Sequence, residues 1–163
     1  MVSKRLSRVE GHRRKFLAVI DETPECDRAV RYAAMRAKRT NGVLVLIYVI
    51  EPGDFQHWLG VEEIMKAEAT EEAETALAKI AADVREFAGI EPETTIREGK
   101  TTEQIHALIE EDQDIAIMVL AAGSAKEGPG PLVSSISGRG AAFPIPVTII
   151  PDSLSNEDID AIC

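Results

Sequence analysis

The stretch AAGSAKEGPGPLVSSISGRG, Ala121 to Gly140, directly follows the apolar run IAIMVL. Glycines in such a loop let backbone N–H groups approach an anion, and a helix starting after it adds a partial positive charge. Gly123 offers bare backbone, Lys126 a cation for a phosphate, and Ser134 and Ser135 hydroxyl donors. A second group, Asp21, closes the run FLAVID at Phe16–Asp21. A carboxylate there can accept from a ribose hydroxyl or bind a metal, and it can equally cap the following helix. The two serines are open in the same way, as phosphate donors or as cap and turn formers.

The common nucleotide signatures are absent. There is no G-x-x-x-x-G-K-[ST], and the turn DETPEC after the first apolar run has no G-x-G-x-x-G. A phospho-acceptor receiver domain would close its third strand with Asp, where this chain reads TTIREGK. Gly128-Pro129-Gly130 is no dinucleotide fingerprint, because proline lacks the N–H that such a turn uses. His12, His57 and His106 have no Cys or carboxylate at ligand spacing, so no zinc site is expected. His57-Trp58, in the loop GDFQHWLG, reads either as a lid over a pocket or as a Trp packed under a helix or at a subunit contact. Glu62-Glu63, Glu71-Glu72 and Glu110-Glu111 read as solvated helix faces. No Ser-His-Asp or Cys-His pairing emerges, and no catalytic machinery is expected.

The elements that position these residues follow from the hydrophobic pattern. Phe16–Asp21 reads as a buried strand, and Thr23-Pro24 as the start of a helix that Asn41-Gly42 stops. Val43–Ile50 (VLVLIYVI) is apolar throughout, a central strand buried on both faces. Val61 to Ala88 is a long helix with a stripe of Ala73, Leu77, Ile80, Val84 and Phe87, capped by Gly89, unless it breaks near Ala69-Thr70. Thr94–Arg97 is a short polar strand near an edge. Ile105, Leu108 and Ile109 line the inner face of the next helix, with His106 on its surface. Asp114–Ala122 is a second doubly buried strand, Ser134 to Phe143 a glycine-weakened helix, and Val147–Ile150 the last strand. The alternation βαβαβαβαβ predicts a single α/β domain, a five-stranded parallel sheet with helices on both faces. The strand order should reverse between the first and fourth strands, which brings the Gly-rich loop beside Asp21.

The chain has 163 residues, 45% hydrophobic and 4% aromatic, with a formal net charge of −10. Such an acidic chain is not a dedicated nucleic-acid binder. The charge is uneven. Residues 1–14 form a basic arm and residues 152–163 an acidic tail around the domain at 15–151. Both ends read as solvated, mobile segments, or the arm as the contact for an acidic partner or a second subunit's tail. No secretory signal or membrane-length apolar run is seen, and two cysteines make no disulfide framework, so a reduced, cytoplasmic protein is expected.

In KFLAVIDETPE, IYVIEP, REGKTTEQIHALIEE with DIAIMVLAAGS, and PIPVTIIP, the chain resembles the universal stress protein family over about residues 15–151. The resemblance implies a Rossmann-like sandwich, of the adenine nucleotide alpha hydrolase kind, and a homodimer paired through the last strand. Some members bind ATP and others do not. Asp21 matches the nucleotide-facing Asp and Val49 the position facing adenine. Val19, Ile20, Ala122, Gly123, Lys126, Ser134 and Ser135 complete the expected nucleotide-binding set. ATP-binding members carry Gly, two residues, Gly, nine residues, then Gly and Ser or Thr. Here Gly123 fits the first glycine, but Lys126 stands at the second, Val133-Ser134 replaces Gly-Ser, and the loop is about three residues short. The Cβ of Val133 and the charge of Glu127 both oppose a phosphate. Three readings result. One is an adenine-nucleotide module with ATP, and Mg²⁺ only alongside it. The second is a dimeric interaction module without nucleotide, and the third is a slow ATPase. The altered loop favours weak or absent ATP binding.

Overall fold

Aliphatic runs buried on both faces form the inner strands of a parallel sheet. β1 (Lys15–Ile20), β2 (Val43–Ile50), β3 (Glu93–Glu98), β4 (Ile115–Ala121) and β5 (Val147–Ile150) lie in the order β3-β2-β1-β4-β5, all pairs parallel. The computed structural model describes residues 3–52, 61–124, 128, 130, 132–134 and 143–163, with only the backbone of Val61 and Glu62. β1 is central: Phe16 stands opposite Leu44 and Ile117, and Ala18 opposite Leu46 and Val119. The order reverses at the β1–β4 pair, as expected, so a crevice opens past the carboxyl ends of these strands. Polar β3 and short β5 are the two edges.

α1 (Cys26–Arg39), α2 (Val61–Ala88) and the C-terminal α4 (Asn156–Ile162) cover one face, where Ala33, Ala34, Leu77, Val84 and Ile159 pack against Phe16, Ala18, Leu44 and Leu46. α3 (Thr101–Glu111) covers the other, where Ile105 and Ile109, with Phe143 and Ile145, pack against Leu17, Val19 and Ile47. Burying each such side chain contributes roughly 1.5–3 kcal/mol.

α1 starts at Cys26, later than the Thr23 start that the sequence suggests, because the Thr23 N–H and hydroxyl are both bound by the Asp21 carboxylate. Its end also differs in detail. Asn41, not Gly42, takes the left-handed conformation (φ 54°). Gly42 is needed for space, since a Cβ there would lie 2.6 Å from the Arg14 carbonyl oxygen. α2 runs unbroken through Ala69-Thr70 to Gly89 (φ 69°). Its buried positions are Ala73, Leu77, Ala81, Val84 and Ala88, with Ile80 and Phe87 half-buried beside them. From Glu63 to Glu72 the helix buries nothing comparable, and Ile64 stands exposed. Of the helix expected over Ser134 to Phe143, residues 132–134 are part of a helical turn and residues 135–142 lie outside the described residues.

Residues 3–14 and 152–163 pack on the domain, where the sequence reads as mobile tails or a contact for a partner. The acidic tail forms α4. Ser155 accepts from the Asp158 N–H while Asp158 accepts from the Ser155 N–H, a reciprocal cap. Ile159 is fully buried, and Asp160 pairs bidentately with Arg31 of α1 at 2.9 and 2.6 Å. The tail thus meets basic residues of its own chain. In the basic arm, Arg5 Nη1 donates to the Ile109 carbonyl at 2.6 Å and to those of Asp112 and Ile115, closing the end of α3. Among the described residues, no helix is long and apolar enough to cross a membrane.

Candidate functional site

Asp21 is exposed at the end of β1, and its carboxylate is engaged with Thr23 as a local turn. Across the β1–β4 junction, Asp21, Thr23, Glu25, Cys26, Leu120, Ala121, Gly130, Leu132 and Val133 enclose a cavity of about 30 Å³. That is room for about one water molecule. The sequence therefore brings Asp21, the Gly-rich loop and Val133 together, as topology requires.

The described residues of the loop pack tightly. A Cβ on Gly123 would overlap the Gly128 carbonyl oxygen and lie 3.1 Å from Glu25 Oε1. Gly123 thus serves close packing against Gly128, and the atoms above it are acceptors. Gly128 and Gly130 take positive φ values of 81° and 94°, and the Gly128 N–H donates to the Ser124 carbonyl at 2.9 Å. A phosphate against Gly123 would face oxygen atoms and a carboxylate where a cradle presents N–H groups. Among the described residues, the groups around Gly123 do not fit a triphosphate.

The other expected site residues are distributed as follows. Val19 and Ile20 are buried in opposite faces of the sheet, and Val49 is half-buried on the α3 face. The Ala122 N–H donates to the Ile150 carbonyl, and the Ala122 carbonyl accepts from Arg28 Nη2, both at 2.9 Å. Ser134 is exposed, its N–H donating to the Gly130 carbonyl. Lys126, Glu127, Ser135, His57 and Trp58 lie outside the described residues. His106, expected on the helix surface, is half-buried and stacks on Phe143 with ring centroids 5.0 Å apart.

Two residues that the sequence did not single out shape the site. Glu25 supplies the carboxylate near Gly123. One turn later, Arg28 sits behind the loop with its Nε buried and unpartnered. Electrostatics at the strand ends are otherwise acidic. Burial, then the charges of Glu22, Glu72 and Asp21, raise the Tyr48 phenol. Burial first, with the same sign from Asp21, Asp27 and Glu25, pushes the Cys26 thiol up to about 12. Glu51, just past β2, accepts from the Thr101 hydroxyl and N–H at 2.6 and 3.0 Å, which lowers its pKa and ties β2 to the start of α3.

A parallel sheet of order β3-β2-β1-β4-β5 with an acid closing β1 and a Gly-rich loop after β4 defines an α/β domain of the nucleotide-binding kind. The chain belongs to the universal stress protein family, whose family model matches residues 12–151. The fold is similar to that of universal stress protein UspA from Lactobacillus plantarum (TM-score 0.69, 20% identity, 84% of this chain and 97% of that one). It is also similar to a universal stress protein from Archaeoglobus fulgidus in complex with dAMP (TM-score 0.56, 16% identity, 92% and 99%). A third similar structure is a universal stress protein in complex with cAMP (TM-score 0.59, 15% identity, 86% and 98%). No curated protein sequence matches the chain.

Proposed function

We propose that this chain is a cytoplasmic stress-response module whose adenine-nucleotide site is degenerate, and which acts through its surface as a homodimer without resident ATP. Similar structures in complex with cAMP and dAMP make adenine-nucleotide binding the reference case, and the topology points to the crevice at β1–β4 as its place. The observation that carries the proposal is the closed crevice, about 30 Å³ in volume, with Glu25 Oε1 set over Gly123. Mg²⁺ would enter only with a nucleotide.

The test is nucleotide content after heat denaturation, followed by titration of the emptied protein with ATP and Mg²⁺. No released nucleotide, and no ATP binding that adenosine displaces, are expected. Glu25→Gln should then strengthen binding at the crevice, because it removes a like charge from the phosphate position. Stoichiometric ATP in the supernatant, or saturable micromolar binding that adenosine displaces, would overturn the proposal.

A further inference from the structure

At the opposite end of the sheet, where the basic arm meets the end of α1, a pocket of about 340 Å³ opens. Arg8, Arg13, Arg14, His12, Thr40 and Asn41 line it, with the Ser7 hydroxyl, and no carboxylate does. In a chain of net charge −10 this is a local inversion of sign. We propose that the pocket is an anion site for a compact polyphosphorylated small molecule.

The Arg13 guanidinium is held in place. Arg13 Nε donates to the Asn41 carbonyl at 3.0 Å and its Nη2 to the Gly42 carbonyl at 2.9 Å, which leaves Nη1 without a partner. The left-handed Asn41 and the Cβ-free Gly42 set this turn against the arm. The Arg14 carbonyl accepts from the Val43 N–H at 2.9 Å, so its backbone is fixed at the entry to β1. Arg8 and Arg14 have no ion-pair partner among the described residues. Further back, the Leu6 N–H donates to the Gln113 carbonyl, and Arg5 is anchored on the end of α3. The backbone of the arm and the Arg13 guanidinium are therefore set before any ligand arrives, and only the Arg8 and Arg14 side chains have to be ordered on binding. The one carboxylate that reaches a lining group is Asp114, at 2.7 Å from His12 Nδ1.

Three guanidinium charges around one cavity exceed the one to two negative charges of a single phosphate, so two or more linked phosphates complete the charge balance, with Arg8 and Arg14 offering whole forks and Arg13 its Nη1. A nucleic acid needs a longer basic track than one pocket, and the rest of this acidic surface denies it.

The experiment is calorimetric titration of the intact chain, at fixed ionic strength, with orthophosphate, pyrophosphate and tripolyphosphate. One saturable site per chain is expected, with tripolyphosphate at least about tenfold tighter than orthophosphate. The R8A/R14A double variant, whose circular dichroism should be unchanged, should lose at least about tenfold, and Arg8→Gln alone should lose part of that. Neither arginine lines the crevice between β1 and β4, so the loss in R8A/R14A separates this site from that crevice. Three results would each overturn the proposal: no saturation at millimolar tripolyphosphate, binding that survives R8A/R14A, or a single-stranded oligonucleotide bound more tightly than tripolyphosphate.

Discussion

Replacing Ile159 by alanine tests whether the C-terminal helix belongs to the folded unit. Ile159 is fully buried against α1, whereas Ile162 on the same helix is 58% exposed. The substitution removes every side-chain atom beyond Cβ, about 2.4 kcal/mol at roughly 0.8 kcal/mol per methylene. A residual cavity places ordinary changes of this kind at about 2–5 kcal/mol. α4 is seven residues long and terminal, so it can detach before the sheet is strained. The expected cost is therefore in the lower part of that range, about 2–3 kcal/mol. For a chain of this size that lowers Tm by roughly 5–10 °C. Ile162→Ala should stay within about 0.5 kcal/mol, as exposed positions do. Urea unfolding of both variants at pH 7 gives the numbers, and hydrogen exchange across residues 26–39 shows whether α1 has lost its cover. Equal effects from the two substitutions, or less than about 0.5 kcal/mol from Ile159→Ala, would refute docking of the tail.

Gly123→Ala should destabilise by about 1–3 kcal/mol, since its Cβ meets the Gly128 carbonyl and Glu25, and thermal unfolding reads it directly. The Arg31 hydrogen bonds hold the Asp160 carboxyl below its usual range, so their stabilisation is complete above about pH 4 and fades as pH falls through the lowered value. The difference in urea midpoint between the wild-type chain and Asp160→Asn should accordingly be constant from pH 7 to about pH 5 and close on further acidification; a difference that persists at pH 3 would assign it to packing. Sedimentation equilibrium should give twice the chain mass of 17.7 kDa, through the exposed edge at β5, and a single-chain mass would remove that interface.

Legibility in the sequence followed the range of the interactions. β2, β5 and the long α2 have the boundaries that their apolar patterns predict, because burial on one or both faces decides them locally. The reversal of strand order followed from topology alone. α4 was missed because the four acids of the tail, three of them in the helix, read as solvent-facing. The signal was present in Ser155 and Asp158 at capping spacing, with Leu154 before them and Ile159 after. The role of Arg5 was not readable at all, since the carbonyls it caps come from residues more than one hundred positions away. At the candidate site, Asp21 and Gly123 were legible from motif position. The occupation of the crevice by Glu25 depends on how α1 begins, and that start was displaced by the bonds between Asp21 and Thr23.

The length of α2 has an electrical consequence. Its 28 residues span about 40 Å, against about 27 Å for the eight residues of β2, so its first turns overhang the carboxyl end of the sheet. They carry Glu63, Glu68, Glu71 and Glu72 to the end where Asp21, Glu22 and Glu25 already stand. The other end holds Arg8, Arg13 and Arg14 with Lys38 and Arg39. Among the described residues, the overhang therefore concentrates negative charge past the carboxyl ends of the strands, where it slows the approach of an anion, an effect that added salt weakens.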